Sequence, residues 1–306
     1  MQATLSRSIS FTGVGLHGGK PARMAIRPAP PGAGVWFCRV DVSDRDQMIP
    51  ARFDAVSDTR LCTVLSNGAG VGVSTVEHVM AALAGCGVDN ALIDIDGPEI
   101  PIMDGSAQTF VDAIQTAGLA FTAAPRRALR ILAPVVAERG DARAELHPAD
   151  AFSMDFAIAF EDQAIGAQRH ALTLEGDAFA NELADCRTFT RLAEIEQLRA
   201  HGLAQGGSLD NAVVVDGARV LNPGGLRRPD EFVRHKMLDA VGDLALAGGP
   251  VIGRYVGVKA GHALTNMLLR ALFARPDAWR WEPAAPRLDL PAPVARRFAT
   301  QRIAAE

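Results

Sequence analysis

A helix, a short strand and a second helix follow one another twice in this sequence, and this repeated order most limits its possible folds. In the first copy, apolar residues from Ser74 to Leu83 recur at helical spacing, and Ser74 and Glu77 also match a capping box. A strand pattern spans Ala91 to Ile95, and Ser106 can cap the helix that follows.

The second copy lies near the C-terminus. The spacing predicts a helix over Glu231 to Ala247, a strand over Val251 to Val258 and a helix over Ala263 to Phe273. Helices that recur with strands of modest length indicate α+β layers. We therefore predict an α+β fold with two similar halves.

A break between the halves is expected after Gly118, where Ala123 to Arg127 has few large apolar residues and contains a proline. This places a first α+β domain at residues 1–122 and a second at residues 128–288. Residues 289–306, rich in Ala, Pro and Arg, are expected to form a peripheral or partly disordered tail.

Charge and hydropathy exclude several classes of protein. The net charge is -4, with 31 basic against 35 acidic residues, and this predicts no nucleic-acid partner. No apolar stretch approaches the roughly 20 residues of a membrane span, and no secretory signal is recognisable, so we expect a cytoplasmic protein. The four cysteines form no C-x-x-C pair, which favours buried free thiols over a zinc finger or a catalytic cysteine.

Three titratable residues share one stripe of the helix predicted over Glu231 to Ala247. His235, Asp239 and Asp243 stand at i, i+4 and i+8. An imidazole and a carboxylate at this spacing can ligate one metal ion from consecutive turns. A solvated face with a helix ion pair explains an isolated pair equally well.

Two further fragments carry groups of the same chemistry. Glu77 and His78 are neighbours, so one could bind a metal while the other reaches a water beside it, although Glu77 could instead close the capping box. His262 follows a predicted strand at a turn into a helix, where it could serve an active site or cap that helix.

Taken together, these fragments resemble one family closely, the UDP-3-O-acyl-N-acetylglucosamine deacetylases, which are zinc amidases of lipid A biosynthesis. The matching motifs occur in order over about residues 1–272. They are Gly13-Val14-Gly15-Leu16-His17, Ser74-Thr75-Val76-Glu77-His78, the stretch from Asp96 to Ser106, Arg187-Thr188-Phe189, Gly206-Gly207-Ser208, the stretch from Glu231 to Asp239, and Lys259-Ala260-Gly261-His262-Ala263-Leu264.

The resemblance implies two domains of like topology, each a layered β-sheet and helix sandwich, packed together with the active site between them. It also implies one Zn²⁺ per chain on His78, His235 and Asp239, with a fourth position for water. Fe²⁺ could occupy such a site in the cell. The implied reaction is removal of acetate from UDP-3-O-(3-hydroxyacyl)-N-acetylglucosamine.

The resemblance further implies catalytic roles. Glu77 is the expected general base, the Thr188 hydroxyl is expected to stabilise the oxyanion, and His262 is the expected proton donor. Asp243 is expected to orient His262 and keep it protonated.

The substrate contacts that follow from the resemblance are Lys236, Lys259, Phe160 and Phe189. The segment from Arg191 to Val220 is expected to form an apolar passage for the acyl chain. Its apolar residues could equally reflect ordinary packing. They are Leu192, Ile195, Leu198 and Leu203.

Some positions depart from the family or lack a role. Thr190 stands where the family often has Gly, which affects the entrance of the passage, and Gly18-Gly19 replaces a polar residue and a Gly. His17 lies near the site or only orders its turn. No role is assigned to His147, His170 and His201, for which exposure or local bonding is expected.

Two other functions are compatible with these residues. The same metal and amidase chemistry could act on another acetylated sugar or amide, because chemistry transfers more safely than specificity. Alternatively, the ion could be structural in a binding module, which would require a closed shell of four protein ligands. For the enzyme we expect an acylated UDP-amino-sugar as the partner molecule and a monomeric chain.

Overall fold

The computed structural model describes residues 1–284, so the predicted tail at residues 289–306 and the last residues of the second domain lie outside the described part. Within residues 1–284 no helix combines the length and apolar character needed to cross a bilayer. The α-helices of this part are α1 (Glu77–Gly85), α2 (Gln108–Ala117), α3 (Ala178–Glu182), α4 (Leu192–Ala200), α5 (Glu231–Ala245) and α6 (His262–Phe273). Short 3-10 helices span Phe53–Ala55 and Pro276–Ala278.

The strands fall into two groups, one before the predicted linker and one that begins at its last residue, Arg127. The first group comprises β1 (Ala3–Leu5), β2 (Ile9–Val14), β3 (Pro21–Pro28), β4 (Val35–Arg39), β5 (Met48–Pro50), β6 (Val56–Asp58), β7 (Val64–Ser66), β8 (Gly72–Val73), β9 (Ala91–Ile95) and β10 (Leu119–Phe121). The second group comprises β11 (Arg127–Ile131), β12 (Val135–Arg139), β13 (Ala142–His147), β14 (Ser153–Ala159), β15 (Ala167–Thr173), β16 (Phe189–Arg191), β17 (Val213–Asp216), β18 (Arg219–Val220), β19 (Val251–Ile252), β20 (Arg254–Val258) and β21 (Trp279–Pro283).

Each half contains a five-stranded sheet of the same topology. The strand orders are β2-β3-β9-β4-β5 and β12-β13-β20-β14-β15. In each sheet the pairs are antiparallel except one, β4 with β9 and β14 with β20. The late strand of each sheet lies between two helices in the chain, α1 and α2 or α5 and α6. The predicted α+β fold with two similar halves is therefore confirmed.

Smaller sheets complete the two halves. Their strand orders are β1-β10 and β6-β7-β8 in the first half, and β19-β11-β21 and β16-β17-β18 in the second. No sheet joins a strand that precedes Ala123 with one that follows it. The domain limits at residues 1–122 and 128–288 stay predictions that agree with this pattern.

Several predicted elements differ from the structure. Helix α5 ends at Ala245 and not at Ala247, and α6 begins at His262 and not at Ala263. Two larger differences have a structural cause. Helix α1 begins at Glu77 and not at Ser74, which instead forms a bridge with Glu99. The strand predicted over Val251 to Val258 is interrupted at Gly253. A Cβ at Gly253 would lie 2.7 Å from Ile131, so the chain changes neighbours at a position without a side chain: β19 pairs with β11, and β20 pairs with β13 and β14.

Helices α1 and α5 pack against each other in the centre of the molecule. All residues of α1 from Glu77 to Leu83 are buried, and so are most residues of α5. A helix that is buried on every side cannot keep its polar residues in water, so those residues need partners inside the protein. Most of the polar residues of these two helices were predicted to form the site, namely Glu77, His78, His235, Lys236, Asp239 and Asp243.

Candidate active site

The three residues predicted to bind a metal meet at the contact between α1 and α5. His78 comes from α1, whereas His235 and Asp239 come from α5, and each is less than 5% exposed, at 4%, 2% and 4%. One donor atom from each lies within 4.8 Å of the others. The Asp239 Oδ1 atom is 3.5 Å from His78 Nε2 and 3.3 Å from His235 Nε2.

These distances fit a tetrahedral metal ion. With ligand bonds of about 2.1 Å, the donor atoms of a tetrahedron stand about 3.4 Å apart. The tautomer of His235 also suits a ligand, because its Nδ1–H donates a hydrogen bond to the Cys186 carbonyl over 3.0 Å and Nε2 then faces the cluster unprotonated. The Nδ1 atom of His78 is buried and has no hydrogen-bond partner. Two imidazoles and one carboxylate form a donor set that suits zinc. The group found in residues 1–284 has three members, one fewer than a closed structural zinc site requires.

The pKa values of His235 and Asp239 determine the charges in the cluster. Burial lowers the pKa of His235 to about 4, so this imidazole is neutral near pH 7. Burial alone would raise the pKa of Asp239, but His235, Lys236 and His78 outweigh it and hold that pKa well below its usual value. The Lys236 Nζ atom donates to Asp239 Oδ2 at 2.7 Å, which leaves Oδ1 facing the two imidazoles.

Glu77 does not serve as a helix cap. The residue before α1 is Val76, and the Ser74 hydroxyl donates to the Pro98 carbonyl, so the capping-box alternative was wrong. The Glu77 carboxylate instead accepts the Thr63 backbone amide at Oε2, over 3.0 Å, and burial raises its pKa. Its Oε1 atom faces His262, with 3.9 Å to the Nε2 atom.

His262 and Asp243 form a buried pair beside Glu77. The His262 Nδ1 atom lies 2.8 Å from Asp243 Oδ2. Burial opposes the charged imidazole, but Asp243 and Glu77 outweigh that effect and raise the pKa of His262 to about 9. His262 is the first residue of α6, after Gly261, and its ring bonds to Asp243 rather than to the helix end.

Thr188 lies on a segment that is held at several points. Its backbone amide donates to the Gly105 carbonyl over 2.7 Å, and its own carbonyl accepts the Val213 amide. The preceding Arg187 forms a buried ion pair with Glu231, which is 0% exposed and begins α5. This pair therefore ties the Thr188 segment to the helix that carries His235.

A cavity of about 230 Å³ brings together most of the predicted residues. Those that line it are Glu77, His78, Phe160, Thr188, Phe189, His235, Lys236, Asp239 and His262. Phe160 and Phe189 contact each other edge to face, with ring centroids 5.6 Å apart. Asp243 lies behind His262, outside the lining.

Lys259 is placed differently from the other predicted substrate contacts. It does not line the cavity, and its half-exposed ammonium group pairs with Asp141. The apolar passage also stays a prediction, because Thr190, Arg191 and Glu194 line the cavity but Leu192, Ile195, Leu198 and Leu203 do not. Helix α4 buries none of its residues, so ordinary core packing does not explain its leucines either.

The histidines without a predicted role divide into two kinds. His17 lines the cavity, and neither of its ring nitrogens has a hydrogen-bond partner, while Glu99 accepts its backbone amide at 2.7 Å. Burial lowers the pKa of His17. His147 and His201 bond locally, as expected, to Glu145 and the Gln197 carbonyl. His170 differs from the expectation, because its largely buried ring pairs with Asp230 from a distant part of the chain.

Two residues beside the site had no signal in the sequence. Thr63 bonds to Glu77 and to Asp243, but a single threonine next to a short strand shows no spacing pattern. Gly242 lies where α5 touches α1, and a glycine within a helix pattern can have many causes. The role of each residue becomes visible only when the fold brings distant segments of the chain into contact.

Known proteins match this chain over nearly its whole length. A family model described as UDP-3-O-acyl N-acetylglycosamine deacetylase matches residues 2–274. A UDP-3-O-acyl-N-acetylglucosamine deacetylase of Phenylobacterium zucineum is 57% identical over 279 residues, which are 91% of this chain and 95% of that protein. A protein of the same name from Idiomarina loihiensis is 51% identical, and the match covers 92% of this chain and 92% of that protein. One from Shewanella frigidimarina is 48% identical, and the match covers 95% of each chain.

Proposed function

The chain belongs to the UDP-3-O-acyl-N-acetylglucosamine deacetylase family, and from this premise we propose that it hydrolyses the acetamide of a UDP-3-O-acyl-N-acetylglucosamine in lipid A biosynthesis. The products are acetate and the free amine of the acylated UDP-glucosamine. The observation that carries the proposal is the meeting of His78 from one half with His235 and Asp239 from the other at tetrahedral spacing.

The metal in this proposal is zinc, held by His78, His235 and Asp239. When bound there, zinc supplies a Lewis acid that lowers the pKa of water and polarises a carbonyl oxygen. Lys236 contributes by holding the second oxygen of Asp239, so that the carboxylate presents Oδ1. His235 contributes a neutral imidazole whose orientation is set by the Cys186 carbonyl.

Glu77 and His262 divide the proton transfers in the proposed mechanism. Glu77 accepts a proton from the attacking water at Oε1, because Oε2 is held by the Thr63 amide. His262, protonated near pH 7 and oriented by Asp243, donates a proton to the nitrogen as the C–N bond breaks. The Thr188 hydroxyl donates to the acetyl oxygen while negative charge develops on it.

The two edges of the cavity suit different parts of the substrate. The Phe160 and Phe189 pair offers aromatic surface to the nucleotide, and Lys236 lies close enough to contribute positive charge. We assign the acyl chain to the side lined by the segment that begins at Arg191, in line with the name of the family. Lys259 lies farther out, so its proposed contact with the nucleotide requires it to leave Asp141.

Metal analysis coupled to an acetate-release assay tests this function. We expect about one zinc ion per chain, acetate release from 3-O-acylated UDP-N-acetylglucosamine, loss of activity on chelation and recovery with zinc. Non-acylated UDP-N-acetylglucosamine is the matched substrate control. Equal rates on both substrates would favour another acetylated substrate, and activity that survives complete metal removal would contradict the zinc mechanism.

A further inference from the structure

Thr63 contacts two carboxylates of the proposed site, Glu77 and Asp243, that come from opposite halves of the chain. Its backbone amide donates to Glu77 Oε2 over 3.0 Å, and its hydroxyl donates to Asp243 Oδ1 over 2.6 Å. Thr63 is only 1% exposed. A buried residue with two hydrogen bonds to carboxylates has little freedom to take another orientation.

Each of the two carboxylates turns its other oxygen toward the same imidazole. Glu77 Oε1 lies 3.9 Å from His262 Nε2, and Asp243 Oδ2 lies 2.8 Å from His262 Nδ1. In each carboxylate, Thr63 therefore binds the oxygen that does not face His262. Because the last torsion of an Asp or Glu side chain is broad, a carboxylate with partners at both oxygens is much better defined than one with a partner at a single oxygen.

The backbone of Thr63 is itself fixed. The residue directly precedes β7, the central strand of the β6-β7-β8 sheet. Its carbonyl accepts the amide of Val76, the residue before α1, at 3.4 Å. The backbone that carries this hydroxyl and amide is therefore bonded both to a sheet and to the start of the helix that carries Glu77. Catalytic groups need such fixed neighbours to keep a productive geometry.

We propose that Thr63 is a positioning residue for the deacetylation, because it holds Asp243 and Glu77 in the orientations in which both face His262. The inference rests on the proposed function. Thr63 touches no reacting atom in this assignment and acts through the two carboxylates. Its hydroxyl is the part that can be removed by substitution, since the amide bond to Glu77 remains in every variant except proline.

The variant Thr63→Val removes the hydroxyl with little change of shape, and Thr63→Ser restores it. A hydrogen bond to a charged group contributes enough for its loss to cost about 10- to 100-fold, and we expect that loss in kcat with KM changed less than about twofold. Zinc content should stay at one ion per chain. Thr63→Ser should regain most of the activity, and Thr63→Ala gives the same test if Thr63→Val does not fold.

Thr4→Val is the matched control. Thr4 is 7% exposed, and its hydroxyl donates to the Asn90 carbonyl over 2.8 Å and accepts the Ala29 amide. Its removal also takes a bonded hydroxyl from the interior, but far from the cavity. We expect a lower melting temperature in this variant and the wild-type kcat.

Two readouts separate positioning from a general loss of stability. In the zinc-loaded protein, the NMR signal of the His262 Nδ1 proton should shift or broaden in Thr63→Val and stay unchanged in Thr4→Val. In a double-mutant cycle, Thr63→Val should cost far less in an Asp243→Ala background, because its hydroxyl then has no carboxylate to hold.

The inference is overturned by wild-type kcat in Thr63→Val, by an equal loss of kcat in Thr63→Val and Thr4→Val, or by independent effects of Thr63→Val and Asp243→Ala. An unaltered His262 signal in Thr63→Val also overturns it. If the wild-type protein released no acetate, the proposed function would fail, whereas the NMR comparison would still decide whether Thr63 holds the His262 and Asp243 pair.

Discussion

Gly242 in α5 lies directly against the backbone of Glu77 in α1. A Cβ at position 242 would lie 2.0 Å from the Glu77 carbonyl oxygen and 3.1 Å from the Ala81 amide nitrogen. The first distance is far below any real contact, so the two helices approach this closely because residue 242 has no side chain. Their separation sets the distance from His78 to the ligands on α5.

Replacing Gly242 by alanine should therefore damage both stability and activity. The helices would have to move apart, and overpacking of this kind costs about 1–3 kcal/mol in unfolding free energy. A displacement of about 1 Å between Glu77 and the α5 ligands can lower turnover about 10²-fold. Urea unfolding, kcat and zinc affinity measure these effects.

Gly68→Ala is the control for that substitution, because a Cβ at Gly68 meets no atom within 4 Å. It should change the unfolding free energy by less than about 0.5 kcal/mol and leave kcat unchanged. Wild-type stability and zinc affinity in Gly242→Ala would show that the helix contact does not set the metal site.

Replacing Glu77 by glutamine should remove the general base and keep the shape of the side chain. We expect kcat to fall about 10²-fold or more, while zinc content stays at one ion per chain. Glu138→Gln, at a side chain that is 59% exposed, should keep full activity. Full activity in Glu77→Gln would remove Glu77 from the mechanism.

The pH dependence of kcat/KM should report His262. Its pKa is raised to about 9, so the imidazole is protonated below that pH and loses its proton as the pH rises through it. The rate should therefore fall on the alkaline side with that midpoint, because the leaving nitrogen needs the proton. The His262→Gln variant should have a much lower rate and no alkaline limb in its pH profile. The His147→Gln variant should keep the alkaline limb. A profile of His262→Gln with the same alkaline limb would assign it to another group.

Removing one residue of the Arg187 and Glu231 ion pair should strongly lower the free energy of unfolding. Glu231 accepts the Arg187 backbone amide and side chain and the Arg227 amide, so Glu231→Ala leaves a buried guanidinium without its partner. The expected loss is about 3–5 kcal/mol in unfolding free energy, and the double variant Arg187→Met with Glu231→Met should be more stable than Glu231→Ala alone.

A surface pair gives the comparison for that measurement. Arg219, with a side chain 74% exposed, pairs with Asp216, and Arg219→Ala should cost no more than about 1 kcal/mol. If Glu231→Ala were no more destabilising than Arg219→Ala, the pair would not hold the Thr188 segment to α5.

The helices and the order of elements could be predicted from the sequence because they depend on residues close together in the chain. The helical spacing of apolar residues predicted α1 and α5, and the repeated order of elements predicted two similar halves. The wrong boundary at Ser74 has a tertiary cause: that residue pairs with Glu99, and Glu77 turns toward Thr63 instead of closing a capping box. A local capping pattern cannot report such competition.

By itself, the sequence determined which residues have metal-binding and acid-base chemistry, and on which elements they stand, because periodicity and residue type are local properties. Only the tertiary structure decided that His78 reaches Asp239, that Thr63 holds Asp243, and that Gly242 lets the helices approach. These contacts join residues far apart in the chain. Because the polar side chains of both helices are buried, they need partners inside the protein, and distant segments of the chain supply them.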